Sequence, residues 1–380
     1  MFFLTIVKNF LLFFQKKFFG LIIKIKLKCS KAYDIVVDEE ILDNLWKSDN
    51  ISCYVQEKRK KIETIDLSLI IPMYNSENFA DTCLTSLLNQ KTNFSYEIIV
   101  VNDGSTDKTL AIIKNYEKKY PDKIKVFNQE NGGISVARNK GLDNVTGKYV
   151  GFIDHDDYVA DNYIDDLLTL AYENDADIVK CGYADTCDGK IIAKTSRRDC
   201  VINGNMDEEI LNYRGFIWGA IYKYSLLDNI KFPEHYWYED MITRTLLFRS
   251  SKIFVNTSKI LYYKQSHANN VSKKTWSSKN YKCLEQLYLV EGLVKDNDLL
   301  HLNNDFYFYL SVLIECSTIM VQRISGIDEN AKFQVFLRVH NLLSSLYKDE
   351  YAKLLTGEWK LKSDIILGLK YDLWKLEKNL

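Results

Sequence analysis

The chain has 380 residues, 47% of them hydrophobic and 27% charged, with a formal net charge of −1. That length allows two or three domains and that composition a real core, while the near-zero charge gives no footing for nucleic-acid binding. The eight cysteines (Cys29, Cys53, Cys83, Cys181, Cys187, Cys200, Cys283 and Cys316) form no C-x-x-C pair, so they read as reduced thiols of a cytoplasmic protein, not as staples or a zinc site.

The opening stretch, "MFFLTIVKNFLLFFQKKFFGLIIKIKLK", has the apolar load of a membrane segment. Residues 1–31 hold seven lysines and no acid, and lysine interrupts every eighteen-residue window, which argues against a spanning helix. The basic leader and small-residue cleavage site of a secretory signal are missing too. Residues 1–30 are therefore expected to be an interfacial anchor on anionic lipid at the inner face of the membrane. The alternative is a helix packed on the body of the protein or on a partner.

From residue 66 the pattern alternates between strand and helix. "LSLIIP" (67–72) is a first apolar strand, ended by Pro72, and a helix follows through "SENFADTCLTSLLNQ" with Ser76 as its N-cap. "YEIIVVN" (96–102) is a second strand, leading through Gly-Ser-Thr-Asp into the helix "KTLAIIKNYEKKY". "IKVFN" (124–128), "KYVGFI" (148–153) and "ADIVKCG" (176–182) are further strands, and "ISVARNKGLDNV" is a helix between the first two of these. Strands apolar on both faces that alternate with amphipathic helices imply a mostly parallel, doubly wound α/β sheet. Residues 252–265 read as two strands around an Asn-Thr-Ser turn, and from about 276 the chain reads as helical. The predicted organisation is an N-terminal segment 1–65, an α/β domain 66–275 and a helical accessory domain 276–380.

Ligands of open α/β sheets bind at the carboxyl ends of the strands, and four polar clusters fall there. They are "PMYN" (72–75), "NDGSTD" (102–107), "NGGISVARN" (131–139) and "DHDD" (154–157). Singly each is weak: an Asp-x-Asp is more often a solvated turn than a metal site, "NDGSTD" could be a helix cap, and Arg138 could be a surface ion pair. Four in order, each at a strand end, are hard to explain as loop composition. Three carboxylates within four positions, Asp154, Asp156 and Asp157, call for a positive partner or for water.

The series "SLIIPMYN", "EIIVVNDGSTDKT", "NGGISVARNKGL", "GKYVGFIDHDD" and "WYED" resembles the family 2 glycosyltransferases with the GT-A fold, over roughly residues 66 to 265. The resemblance implies an inverting, metal-dependent transferase. It would move a sugar from a nucleotide donor, UDP-linked, to a glycan acceptor of bacterial surface polysaccharide such as capsule, lipopolysaccharide or teichoic-acid glycan. It further implies that Pro72 and Tyr74 line the base pocket, Asp103 accepts a hydrogen bond from the base, Arg138 lies along the nucleotide and Asp154 reaches the ribose. Asp156 would bind Mn²⁺ or Mg²⁺, with His267 in the loop over the diphosphate as a second metal-side residue. Asp240 would be the catalytic base, with Glu239 beside it on the acceptor side. Hard carboxylate oxygens suit such an ion, and an acceptor hydroxyl needs a base as it attacks. One base and one metal fit a single displacement, whereas a hydrolase would need a second carboxylate as acid.

Trp218, in "RGFIWGAIYKYSLL", is either a sugar-stacking acceptor residue or core beside Gly219. Tyr236, Trp237 and Tyr238 form an aromatic rim with the same two readings. His155 replaces a small residue of the family pattern and is expected to point away from the metal. Two other classes stand beside the transferase. A nucleotidyltransferase would want a glycine-rich basic first loop, where this chain has the acidic "PMYNSENFAD". A degenerate scaffold would have lost Asp156 or Asp240, and both are present. The acceptor could be lipid-linked, and homodimerisation and the role of the helical region stay open.

Overall fold

A computed structural model describes residues 58–59, 64–204, 213, 215–234, 239–240, 242–267, 270 and 328–346. The expected anchor at 1–30, the rim at 236–238 and the region 276–380 apart from 328–346 lie outside the described residues. Ser52–Lys274 forms one compact unit.

Four strands make the parallel core of that unit: β1 (Ile65–Met73), β2 (Tyr96–Asp103), β3 (Ile124–Gln129) and β4 (Gly147–Phe152), in the order β3-β2-β1-β4. Every residue of β2 is buried, as its continuous apolar run requires of a strand covered on both faces. Parallel neighbours need crossover connections, and three helices supply them: α1 (Ala80–Leu88), α2 (Thr109–Lys119) and α3 (Ile134–Leu142). Helix α1 buries Ala80, Cys83, Leu84 and Leu87, a stripe at helical spacing in which each leucine contributes about 1.5–3 kcal/mol of burial. The parallel register sets Met73 beside Asn102 and Asn102 beside Asn128, so all the strands deliver their polar carboxyl ends to one edge.

Beyond β4 the chain adds β5 (Tyr158–Val159), α4 (Tyr163–Glu173), β6 (Ile178–Cys187), β7 (Lys190–Thr195), β8 (Cys200–Asn203), β9 (Ala220–Lys223) and β10 (Ile253–Gln265). Among the described residues the sheet has ten strands, running β3-β2-β1-β4-β9-β6-β10-β5 with β7 on β6 and β8 on β10. Parallel pairing resumes between β6 and β10. Helix α5 (Glu329–Leu346) belongs to the second unit and buries Ala331, Val335, Phe336, Leu337 and Val339.

The α/β sheet expected from the sequence is present, with four differences. β1 continues one residue past Pro72 to Met73. Ser76 does not cap α1 with its side chain: its carbonyl accepts the N–H groups of Phe79 and Ala80, and the helix starts at Ala80. Residues 253–265 are one strand, in which the Asn-Thr-Ser stretch shifts the register between Asn256 and Ile260. The crossing segment 197–199 satisfies that irregularity, because Asn256 Nδ2 donates to the carbonyls of Arg197 and Arg198 while Asp199 accepts from Ser258 N–H. The backbone therefore bends without reversing. Finally, part of the expected acceptor segment 214–227 is β9, an antiparallel strand between β4 and β6.

The edge opposite the polar strand ends is tied by a buried carboxylate. Glu97 Oε1 accepts from Ser68 Oγ (2.6 Å), Thr146 Oγ1 (2.7 Å) and Thr146 N–H (2.8 Å), while Oε2 takes Lys125 Nζ at 2.6 Å. Burial pushes the Glu97 carboxyl up, but the bonds from Lys125, Ser68 and Thr146 outweigh it and hold it below the ordinary glutamate value. Its stabilising effect is therefore complete above the unfolded pKa, about 4.3, and is lost as pH falls through the folded value. Glu97→Gln should lower unfolding stability in urea at pH 7 by about 2–3 kcal/mol, and should show a shallower loss of stability than the native chain below about pH 4.3.

Candidate active site

The site grows from the end of β2. Asp103, 4% exposed, is the last residue of that strand. Its Oδ1 accepts from Gln129 Nε2 (2.8 Å) and Gly132 N–H (2.9 Å), and its Oδ2 from Gly133 N–H (2.8 Å). Gly133 is the N-terminal boundary of α3 and no side chain of that helix caps it. The cap comes from β2 instead, an anion on free N–H groups at the positive end of a helix. The resemblance implies that Asp103 accepts from the base; in the structure its two oxygens accept from three internal donors and fix the glycine loop. Asp107, later in the same motif, accepts the N–H of Thr109 at the start of α2. Pro72 is buried in β1, and Tyr74 beyond it is 45% exposed.

With its start fixed, α3 aims two adjacent residues at the chain between β9 and β10. Asn139 Nδ2 donates to Phe232 O (3.0 Å), and Phe232 N–H donates back to Asn139 Oδ1 (2.8 Å). Arg138, whose side chain is 3% exposed, donates from one terminal nitrogen to Glu239 Oε1 (2.6 Å) and from the other to Asp154 Oδ1 (3.1 Å). Burial pulls the Arg138 pKa down, but Glu239, Asp154 and Asp240 outweigh that and keep the guanidinium charged. Arg138 is thus a buried cation held between two carboxylates. Glu239, expected at the acceptor, is the partner of Arg138. Asp240 follows it, and its carbonyl accepts the N–H of Thr243, the first residue of the π-helical turn Thr243–Phe248. Such turns are frequent at functional sites.

The β4 end carries the acidic cluster. Asp157 is 2% exposed and accepts from Tyr262 Oη and from Gln265 N–H, both at 2.8 Å. Burial, then Asp156 and Asp154, push its carboxyl well above the ordinary range. Asp154 is raised first by burial and also by Asp156, against the opposing pull of Arg138. These contacts fasten the cluster to β10, and β10 in turn delivers His267 and Asn270. His267 Nε2 lies 2.8 Å from Asp156 Oδ2, and Asn270 Nδ2 donates to the same oxygen at 3.2 Å. Phe79 supports the imidazole face, with ring centroids 4.7 Å apart, and meets His155 edge-on at 6.3 Å.

Asp156 and His267 offer a carboxylate oxygen and an imidazole nitrogen at one point, a donor pair that fits Mn²⁺ or Mg²⁺. Among the described residues no three His, Cys, Asp or Glu side chains form a cage. Trp218 is 6% exposed, with Phe216 stacked at 4.5 Å and Tyr262 at 4.7 Å. Trp218 therefore belongs to the hydrophobic core. The sequence reading missed the inward roles of Asp157, Tyr262, Asn270 and Phe79. Only Asp157, inside the motif, had a signal that could have flagged it.

Asp103→Ala should lower stability by about 1–3 kcal/mol, because it strands buried donors at the head of α3. Gly133 has φ +89 with nothing within 4 Å of an added Cβ, so Gly133→Ala should cost only the backbone strain, about 1–2 kcal/mol. Gly104 has φ +70 and an added Cβ would sit 2.6 Å from Asn131 N, so Gly104→Ala should cost more than Gly133→Ala. Urea unfolding of the three variants checks the order.

Comparisons with known proteins agree with this architecture. "Uncharacterized glycosyltransferase YibD" of Escherichia coli K12 is 34% identical over 223 residues, covering 55% of this chain and 64% of YibD. A poly(ribitol-phosphate) beta-glucosyltransferase of Bacillus spizizenii is 32% identical over 206 residues, covering 52% of this chain and 32% of that enzyme. The chain therefore spans less than two thirds of these curated relatives. S. aureus TarS, solved with UDP-GlcNAc, superimposes with a TM-score of 0.64 at 20% identity, over 83% of this chain and 90% of TarS, which shows a shared GT-A fold. The family described as "Glycosyl transferase family 2" matches residues 68–267, the stretch from β1 through His267, and the chain belongs to that family.

Proposed function

We propose that the protein transfers a sugar from a nucleotide donor, UDP-linked, to a hydroxyl of a bacterial surface glycan, with inversion at the anomeric carbon. The observation that carries this reading is the convergence at one sheet edge of Asp156 with His267 and of Asp154 and Glu239 on Arg138, with Asp240 next in the chain. Names of relatives add support, since one is a poly(ribitol-phosphate) glucosyltransferase and the superimposed TarS was solved with UDP-GlcNAc.

In this reading Tyr74, on the rim past Pro72, packs against the nucleotide base, and the loop fixed by Asp103 forms the floor of the pocket. Asp154 keeps one carboxylate oxygen off Arg138 and offers it to the ribose. Asp156 and His267 would hold Mn²⁺ or Mg²⁺, which when bound would neutralise charge on the leaving diphosphate. Asp240 takes the proton of the acceptor hydroxyl as that oxygen attacks. A single base fits one displacement with inversion. Residues 1–30 would hold the enzyme on the inner membrane surface, beside lipid-linked acceptors.

Two measurements test these roles. With UDP-GlcNAc and other UDP-sugars as donors, release of UDP should fall roughly 10²–10⁴-fold in Asp240→Asn, while UDP affinity stays within about twofold of the native value, since a general base contributes to the chemical step and not to ground-state binding. Undiminished turnover in that variant removes Asp240 as the base. Deletion of residues 1–30 should move the protein from membrane to soluble fractions, and unchanged fractionation removes the anchor.

A further inference from the structure

We propose that Arg138 is a positioning residue that ties the end of β4 to the loop bearing Asp240, so that a change at Asp154 is felt at Asp240. The proposal rests on the reading of Asp240 as the base, and it assigns Arg138 and Glu239 work that does not involve touching the donor.

Three observations carry it. First, the guanidinium is a bridge between segments far apart in sequence, with Asp154 on one terminal nitrogen and Glu239 on the other. The three side chains are unequally exposed, 3% for Arg138, 13% for Glu239 and 27% for Asp154. The end that faces solvent is therefore Asp154, and the end next to Asp240 is enclosed. Second, Arg138 Nε is buried without a hydrogen-bond partner, although guanidinium N–H groups are ordinarily satisfied in a protein interior. The two carboxylates set the position of this side chain, not its own full satisfaction. Third, the platform beneath it is rigid. Asp103 fixes the start of α3, Asn139 beside Arg138 grips Phe232 through both its backbone groups, and the Phe232 ring lies 5.5 Å from the guanidinium carbon. The chain from Phe232 to Asp240 is thus held at both ends by one helix, at 232 by a neutral amide and at 239 by a charge.

The consequence is directional. A group that takes the open oxygen of Asp154, such as a ribose hydroxyl, alters the hold of Arg138 on its other partner, and Glu239 passes that change to its neighbour Asp240. A lysine would keep the charge but not the fork, since one ammonium cannot reproduce two diverging planar donors. A plain buried ion pair would stabilise the fold without linking the two segments.

Hydrogen exchange on the full chain without nucleotide tests the tie directly. Asp154→Asn should speed exchange in residues 239–248 about tenfold, the scale of one charged hydrogen bond, although that segment is distant in sequence. Glu239→Gln should do the same. In an Arg138→Lys background, chosen because it keeps the charge and the fold, Asp154→Asn should add nothing further. If Asp154→Asn leaves 239–248 unchanged, or adds in full to Arg138→Lys, the tie does not exist. These outcomes do not depend on donor chemistry, so a failure of Asp240→Asn to slow UDP release would overturn the reading of the base and leave the exchange result standing.

Discussion

The crowding of negative charge at the carboxyl edge of the sheet is the constraint around which this fold is arranged. Asp154, Asp156 and Asp157 end β4, and Glu239 and Asp240 approach from the other side. Each acid is handled differently. Asp157 is buried against Tyr262 and Gln265, Asp154 and Glu239 share Arg138, and Asp156 meets His267 and Asn270. Arg138 is thus one cation serving several carboxylates, and Asp154 and Asp157 are still pushed above their usual range. Strongly perturbed carboxylates of this kind cluster at functional sites.

The opposite edge shows what the same residue types do when stability is the purpose. Glu97 has its oxygens filled by Ser68, Thr146 and Lys125, and its carboxyl sits below the ordinary value. Glu97 and Asp157 are both carboxylates on parallel strands or at their ends and both are nearly inaccessible. Both accept from hydroxyl and backbone donors, and the difference lies in their charged neighbours: a lysine for the first, two other aspartates for the second.

Much of this was legible in the sequence where the signal is local. β1, β2 and β4 are continuous, largely buried apolar runs, and the strand ends then order the polar motifs. β9 was not legible, because Ala220–Lys223 is four residues inside an aromatic, glycine-containing stretch and only its neighbours β4 and β6 make it a strand. The Asn-Thr-Ser stretch in β10 looked like a turn, since the carbonyls that support the bulge come from residues 197 and 198. Site residues follow the same rule. Asp156 and His267 could be named from a motif, but their 2.8 Å approach across 111 positions is a product of β10. Arg138 and Glu239 were expected beside ligands, and their pairing with one another across 101 positions had no signal in the sequence. Trp218 carried two readings until the rings stacked on it were known.

The account stands or falls on whether the acidic edge is a nucleotide diphosphate site. Thermal unfolding with UDP, GDP, CDP and dTDP, with and without Mn²⁺, beside an Asp156→Ala control, asks this most directly. A ligand at roughly a hundredfold over its dissociation constant should add about 2.7 kcal/mol. The account predicts stabilisation by UDP that depends on Mn²⁺ and disappears in Asp156→Ala. No stabilisation by any of the four nucleotides at any Mn²⁺ concentration would contradict it.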